Sequence, residues 1–337
     1  MLLKLFLIFF TSFTTFESCA ATTRPEQLQK QYAETLKTIK EGNTKELTAL
    51  AQWCQQNKLI TESLEAWQKV VVLEPNNAEA RGQLDKIRAI AWAEAPTGLL
   101  KNQKVPDYSD ETAWYHISVP NEHKTSRSGM PLIIFLHGGH HNAGTADNIV
   151  ALAQVLPIMK KNIVVFPNHL RTWWAHPHEL KYLLDTLDQV MLRWHVDTKR
   201  IYLMGVSMGG NGAWAFGSQC PELFAAIAPA SGWWTANLGF PMNNLIPKPV
   251  YILHGTSDTT VPIKGARQAF TLLKKDSTSV TMREIEGGSH VIPIEEFSKA
   301  LEWMMPYSNK QEFDLKAMKE RINKLPVPGW LKQYEGK

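Results

Sequence analysis

Two patterns of apolar and polar residues divide the chain. Over residues 25–94, apolar side chains recur at the three-to-four-residue spacing of amphipathic helices, as at Leu64, Trp67 and Val71. A proline in the stretch LEPNNAEAR separates two of these helices. This part of the chain is therefore predicted to be a small all-helical region.

The second pattern begins after residues 95–110, a stretch rich in turn formers that we interpret as a boundary. Short apolar runs such as PLIIFLHG, NIVVFPN, RIYLMG and PVYILHG then alternate with amphipathic stretches such as ELKYLLDTLDQVMLRW. Continuous apolar runs are typical of strands buried on both faces. We predict an α/β domain over residues 110–308, with a mainly parallel sheet and helices on both faces, and a helical tail over 309–337.

The first residues, MLLKLFLIFFTSFTTFESCA, combine a cation at Lys4, an apolar stretch and small residues before Ala21. This layout predicts an export signal over residues 1–20 and an exported protein, secreted or periplasmic, without a transmembrane segment in its mature form. Lipid attachment at Cys19 is the alternative.

Composition limits the partners and the covalent chemistry. The net charge is +4, and Lys and Arg are interspersed with acidic residues, so the chain lacks the basic stripe of a nucleic-acid-binding protein. After the export signal, Cys54 and Cys220 remain, and we expect two buried free thiols in preference to a disulfide.

The main chemical signal is Gly205-Val206-Ser207-Met208-Gly209, which joins the apolar run IYLM to the helical stretch NGAWAF. A serine on so tight a strand-to-helix turn is exposed, and glycines on either side let strand and helix approach. This context predicts that Ser207 is a nucleophile.

A serine hydroxyl needs a base, and the base needs an orienting acid. Asp258 follows the apolar run VYIL, and His290 follows the run SVTMREI, so both are expected in loops at the carboxyl ends of strands, as is Ser207. The order serine, acid, histidine predicts a triad. His254 is a rival base, but it lies at a strand end, where packing or a structural hydrogen bond is expected.

Attack on a carbonyl also requires donors for the oxyanion. We expect the amide of Met208, at the start of the helix, and an amide from the Gly138-Gly139 loop, with Gly139 favoured over His140. His140 and His141 have no third ligand at metal-binding spacing, so neither a metal nor another cofactor is predicted.

The stretches DTKRIYLMGVSMGGNGAWAFGSQCPELFAAIAPASG and HGTSDTTVP resemble exported esterases of the α/β-hydrolase superfamily, near its prolyl-oligopeptidase-like, feruloyl/acetyl esterase and polyhydroxybutyrate-depolymerase-like groups. The resemblance runs from about Ala113 to Met305 and implies the α/β-hydrolase fold. It implies the same roles for Ser207, Asp258 and His290, and oxyanion donors at Met208 and in the Gly138-Gly139 loop. The N-terminal region departs from this family. It resembles a single tetratricopeptide helix pair, which leaves room for a protein partner.

Substrate size is suggested by what the chain lacks. The stretch GWWTANLGFPMNNLIPK is too short for a helical lid, so we expect an open site that accepts large or accessible esters. Two tryptophan pairs follow predicted strands and are expected at the cleft, where they could stack on a sugar or an aromatic acyl group: Trp173, Trp174, Trp233 and Trp234.

The leading hypothesis is an exported serine hydrolase that cleaves carboxylic esters through an acyl-enzyme, on substrates such as polysaccharide-linked or feruloyl esters. A prolyl-oligopeptidase-like peptidase would use the same triad. A hypothesis of another class is a non-catalytic protein that binds a partner through the helical region.

Overall fold

A computed structural model of the protein describes residues 24–106, 108–140, 143–277, 279–310 and 312–334. The predicted export signal, Cys19 and His141 lie outside these residues. The chain divides into two compact units, one ending at Leu84 and the other beginning at Asp85.

The first unit is helical, as its periodicity predicts. Its helices are α1 (Arg24–Thr38), α2 (Thr44–Gln56), α3 (Ile60–Leu73) and the first half of α4 (Ala78–Glu94). α2 and α3 turn their apolar faces to each other, burying Leu50 and Cys54 on one helix and Leu64 and Trp67 on the other. The resemblance to a tetratricopeptide pair stays a prediction.

The second unit contains an eight-stranded sheet in the order β1-β2-β4-β3-β5-β6-β7-β8. Pairing is parallel from β4 to β8 and antiparallel for β1 with β2 and for β2 with β4, which confirms the mainly parallel sheet. The strands are β1 (Gly98–Lys104), β2 (Trp114–Val119), β3 (Met130–Leu136), β4 (Ile163–Pro167), β5 (Val196–Val206), β6 (Ala226–Ala230), β7 (Val250–Gly255) and β8 (Val280–Ile285).

β1 lies within residues 95–110, the stretch that we interpret as a boundary. Its sequence, GLLKNQK, is partly exposed and pairs only with β2 at the edge of the sheet, with a register shift between Leu100 and Gln103. Strand patterning is weak where neither face is fully buried, which explains why the apolar pattern did not predict this strand.

Helices cover both faces of the sheet. Along β3, Leu132, Ile134 and Leu136 belong to one apolar core, whereas Ile133 and Phe135 belong to another on the opposite face. The period of two along a strand explains this division. The helices are α5 (Leu152–Val155), α6 (Pro157–Lys160), α7 (Pro177–Arg193), α8 (Met208–Gln219), α9 (Lys264–Lys274), α10 (Ile294–Met304) and α11 (Leu315–Asn323).

After α11, the described part of the second unit ends in a short 3₁₀ helix, Gly329–Tyr334. Lys319 of α11 forms ion pairs with Asp185 and Asp188 of α7, at 2.9 and 2.7 Å. Cys54 and Cys220 are both buried free thiols, as expected. Among the helices of the described ranges, none is both long and apolar enough to span a bilayer.

Candidate active site

Ser207 occupies a strained turn between β5 and α8, with φ 57° and ψ −116°. A Cβ added to Gly205 would lie 2.1 Å from the Gly209 carbonyl oxygen, and one added to Gly209 would lie 2.1 Å from that of Leu136. Any side chain at either position would displace backbone, so both glycines are required by close contact. The turn therefore has the geometry that the sequence predicts.

The three side chains predicted to act together meet at the carboxyl edge of the sheet. The Nε2 atom of His290 lies 2.9 Å from Ser207 Oγ, and its Nδ1 atom lies 2.8 Å from Asp258 Oδ2. Because a carboxylate only accepts hydrogen bonds, Nδ1 carries the proton and Nε2 is left to accept the serine hydroxyl proton. This arrangement can abstract a proton from Ser207.

The Asp258 carboxylate is buried and firmly held. Its Oδ1 atom accepts hydrogen bonds from the amides of Thr260 and Val261, at 2.9 and 2.8 Å. Burial alone would raise the pKa of Asp258, but the Val261 amide and His290 outweigh it, and the pKa lies below its usual value. The acid therefore stays ionised and can orient the imidazole.

His254 contacts the acid loop, as the sequence suggested for a structural histidine. Its ring is 1% exposed, and its Nε2 atom lies 2.7 Å from the Val261 carbonyl and 3.3 Å from Asp258 Oδ2. A carbonyl oxygen can only accept, so Nε2 carries the proton. His254 thus ties together the turn that holds the acid.

Ser231 is a residue that sequence reasoning missed. It follows β6, is fully buried with φ 43°, and its hydroxyl donates to the His290 carbonyl at 3.2 Å. Its amide donates to the Leu253 carbonyl at 2.8 Å. Ser231 therefore links β6, the strand beside β5 and Ser207, to the loop that carries His290. The only sequence signal for this role was a small residue at the end of a strand.

The loop after β3 lies directly against the nucleophile. A Cβ on Gly138 would lie 3.1 Å from the Ser207 Cβ. The His140 amide donates to the Ala143 carbonyl at 2.8 Å, so the alternative oxyanion donor is already engaged. Gly139 remains the candidate from this loop. The Met208 amide, at the first position of α8, has no partner within the helix.

The four candidate tryptophans differ in burial, and one prediction is wrong. Trp174 is fully buried, its Nε1 atom donating to the His137 carbonyl at 3.1 Å, so its ring is not available to stack on a substrate. Trp234 and Trp173 are each 8% exposed, and Trp233 is half-buried. The sequence shows only that Trp173 and Trp174 are adjacent, and it does not show that Trp174 belongs to the core.

Trp173 and Trp233 form an aromatic cluster with Trp330, which was not predicted at the site, and with the ring of His140, whose amide was the alternative oxyanion donor. Their ring centres are 5.3 Å apart, Trp330 lies 6.0 and 6.4 Å from them, and the His140 ring lies 5.0 Å from Trp173. His140 adjoins Gly139, and the side-chain amide of Asn211 on α8 donates to the Trp233 carbonyl at 3.2 Å. The cluster therefore flanks the nucleophile turn.

Within the ranges that the structure covers, no group of three or more His, Cys, Asp or Glu side chains could hold a metal ion. His140 packs against Trp173 instead.

Comparison with known proteins gives consistent similarities. Residues 176–306 match a family model described as phospholipase/carboxylesterase. A bifunctional acetylxylan esterase/xylanase of Neocallimastix patriciarum is 30% identical over 132 residues, 38% of this chain and 19% of that protein. Cutinase 1 of Thermobifida cellulosilytica is 30% identical over 107 residues, 30% of this chain and 37% of the cutinase.

Among solved structures, a thermostable esterase superposes with a TM-score of 0.50 at 22% identity, over 62% of this chain and 63% of the esterase. The chain spans less than two fifths of the two sequence relatives, 19% and 37%. Sheet order, turn geometry and the structural similarity agree on the fold of the second unit. The second unit therefore has the α/β-hydrolase fold.

Proposed function

We propose that this protein is an exported serine hydrolase that cleaves carboxylic esters. The observation that carries the proposal is the continuous hydrogen-bonded series from Ser207 Oγ through His290 to the ionised Asp258, beside a glycine loop. The similarity to an acetylxylan esterase and a cutinase supports ester hydrolysis. The layout of residues 1–20 supports export.

In the proposed reaction, Ser207 Oγ attacks the ester carbonyl carbon while His290 Nε2 takes the hydroxyl proton. The tetrahedral oxyanion collapses, the bond to the alcohol oxygen breaks, and His290 returns its proton to the leaving alcohol. Water then attacks the acyl-enzyme with His290 as base, releasing the acid and Ser207. The amides of Gly139 and Met208 stabilise each oxyanion, at about 3 kcal/mol per donor.

We further propose that the substrates are large or accessible esters, such as carbohydrate or feruloyl esters. Between β6 and β7 the chain forms only short 3₁₀ turns, Ala236–Leu238 and Met242–Leu245, which supports an open site. The aromatic cluster of Trp173, Trp233, Trp330 and His140 supplies ring faces and edges beside the oxyanion loop. Such surfaces suit sugar rings or planar acyl groups.

The function is tested by labelling the folded protein with a fluorophosphonate probe and by assaying acetyl, feruloyl and long-chain esters beside peptidyl amides. We expect labelling and ester hydrolysis that Ser207→Ala abolishes, without cleavage of the amides. A folded protein that neither reacts with the probe nor hydrolyses any ester would refute the proposal, and faster amide cleavage would favour a peptidase.

The substrate class is tested with Trp233→Ala and Trp330→Ala. Each aromatic contact contributes about 0.5–1.5 kcal/mol, so we expect kcat/KM for feruloyl esters to fall about 2- to 10-fold per ring. Acetyl ester hydrolysis should change little. Trp303→Ala is the control, because Trp303 packs against Tyr251 and Tyr307 outside the cluster. Equal losses on both esters would contradict the assignment.

A further inference from the structure

The orientation of one peptide group, between Gly138 and Gly139, is set by a buried histidine. His137 Nδ1 lies 2.8 Å from the Gly138 carbonyl oxygen. The same oxygen faces Gly144, where an added Cβ would lie 2.3 Å from it. The Gly138 carbonyl therefore points into the loop, toward His137 and Gly144.

In a trans peptide the carbonyl and the following N–H point in opposite directions, and none of the described peptide bonds is cis. The partner of the Gly138 carbonyl therefore also sets the direction of the Gly139 N–H. Turning the peptide over would change only ψ of residue 138 and φ of residue 139. Both residues are glycine, and Gly139 has φ +144°, so neither Cβ sterics nor backbone preference would oppose the turn.

His137 is buried and uncharged, and it can hold the Gly138 carbonyl as a neutral hydrogen-bond donor. The ring is fully buried, and burial lowers the pKa of His137 to about 3. Since a carbonyl oxygen only accepts, Nδ1 carries the proton of the neutral ring. Nε2 has no hydrogen-bond partner among the residues that the structure describes. Burying a nitrogen without a partner costs about 1–3 kcal/mol, so a histidine here needs an explanation.

Neighbouring side chains fix His137 and the other end of the loop. Trp174 Nε1 donates to the His137 carbonyl at 3.1 Å, and the two rings meet edge to face with centres 5.2 Å apart. The His169 Nε2 atom donates to the Gly144 carbonyl at 3.1 Å. The buried Trp174, which was predicted to bind substrate, thus packs against His137 and supports the loop that follows β3.

We propose that His137 is a positioning residue whose Nδ1–H holds the Gly138 carbonyl and thereby directs the Gly139 N–H toward the oxyanion. The proposal rests on the ester hydrolysis proposed above, because the oxyanion forms only when Ser207 attacks a carbonyl. In the opposite orientation the Gly138 carbonyl would face the developing negative charge and repel it.

Three variants separate the hydrogen bond from simple packing. His137→Asn places an amide N–H near the position of Nδ1, His137→Gln places it near that of Nε2, and His137→Leu removes it. For the Leu and Gln variants we expect kcat to fall about 10²- to 10³-fold, the loss typical of one oxyanion donor, with KM changed less than about threefold. His137→Asn should keep kcat within about tenfold of the parent protein.

The proposal is overturned if the Asn and Gln variants, both folded by thermal melting, have equal kcat, or if their losses lie in KM. Should the Leu variant fail to fold, the two amide variants still decide. Should the parent protein hydrolyse no ester, the function proposal fails. Crystal structures of the two amide variants then test the positioning alone. A Gly138–Gly139 peptide turned over only in the Gln variant supports it, and the same orientation in both overturns it.

Discussion

The tripeptide Leu-His-Gly occurs twice, at the end of β3 as Leu136-His137-Gly138 and at the end of β7 as Leu253-His254-Gly255. Both histidines are buried, at 0% and 1% exposure, and each donates one ring N–H to a backbone carbonyl. His137 uses Nδ1 for the adjacent Gly138, whereas His254 uses Nε2 for Val261, seven residues away. The same three letters therefore specify opposite tautomers.

The comparison shows that the following loop, not the tripeptide, decides what each histidine holds. After β3 the chain folds back tightly at Gly139 and Gly144, so Nδ1, the ring nitrogen of His137 nearer the backbone, reaches the carbonyl of Gly138. After β7 the chain makes a wider turn around Asp258, and Nε2, the ring nitrogen of His254 farther from the backbone, reaches the carbonyl of Val261. One histidine supports the proposed oxyanion side and the other supports the acid.

The two glycines also approach different parts of the site. A Cβ on Gly138 would lie 3.1 Å from the Ser207 Cβ, whereas a Cβ on Gly255 would lie 2.3 Å from the Gly288 carbonyl oxygen, in the loop that carries His290. A Cβ on Gly138 would make a tight contact, whereas a Cβ on Gly255 would displace the backbone at Gly288. The two sides should therefore respond unequally to the same substitution.

Among the substitutions that test this comparison, the largest effect is expected for Gly255→Ala. Its new methyl group must push the loop at Gly288 and Ser289 away and misplace His290, and a displacement of about 1 Å can cost about 10²-fold in rate. Gly138→Ala, with the milder contact, should cost about tenfold or less. Steady-state kinetics on one ester compares them, and a larger loss for Gly138→Ala would reverse our ranking of the two contacts.

An intermediate effect, on stability, is expected at Glu179, which holds the loop of Trp173 and Trp174. Its Oε1 atom accepts from Leu170 N and Thr172 Oγ1, both at 2.8 Å, and burial raises its pKa from 4.5 to about 7. Between these values the folded protein keeps a proton that the unfolded chain releases. Stability therefore falls as pH rises through this window, by about 3 kcal/mol.

Glu179→Gln removes the titration and keeps the acceptor. Urea unfolding at several pH values between 4.5 and 8 should show the parent losing stability relative to the variant, with the loss levelling off as pH passes through about 7. Asp258 behaves oppositely, because its lowered pKa favours the folded state above 3.8 and this contribution is lost as pH falls. Parallel pH profiles for the parent and the Gln variant would disprove the role of Glu179.

The smallest effect is expected for His254, since the Thr260 and Val261 amides still hold Asp258 without it. Losing one hydrogen bond of about 1 kcal/mol should lower kcat about 3- to 10-fold in His254→Asn. His254→Gln places its N–H near the position of Nε2 and should retain most activity. Rescue by Asn instead of Gln would contradict the tautomer assigned here, and the rescue pattern should be the reverse of that at His137.

Much of this architecture could be predicted, because its signals are local or periodic. β5 has the pattern of a buried strand and α8 that of a helix, so the change between them locates Ser207. Asp258 follows the buried strand β7, and His290 follows the strand β8. Parallel strands bring their carboxyl ends to one edge, so sequence order alone predicts that the three meet.

The parts that escaped prediction depend on three-dimensional neighbours. Trp174 and Trp173 are adjacent, and only the packed structure shows which ring Gly212 and His137 enclose. Trp330 joins the cluster from a segment far along the chain. His137 ends an apolar strand, and nothing in the sequence indicates which of its nitrogens would find a partner.

The bend in β1 has a consequence for how molecules meet. At the outer edge of the sheet, Asn102 has φ 53° and turns its amide to His116 Nδ1 at 3.0 Å, while Lys101 and Lys104 are exposed. A second copy aligning along this border would encounter a kinked backbone and two ammonium groups, which disfavours sheet growth from molecule to molecule. Concentrated solutions of the protein should therefore resist fibril formation along β1.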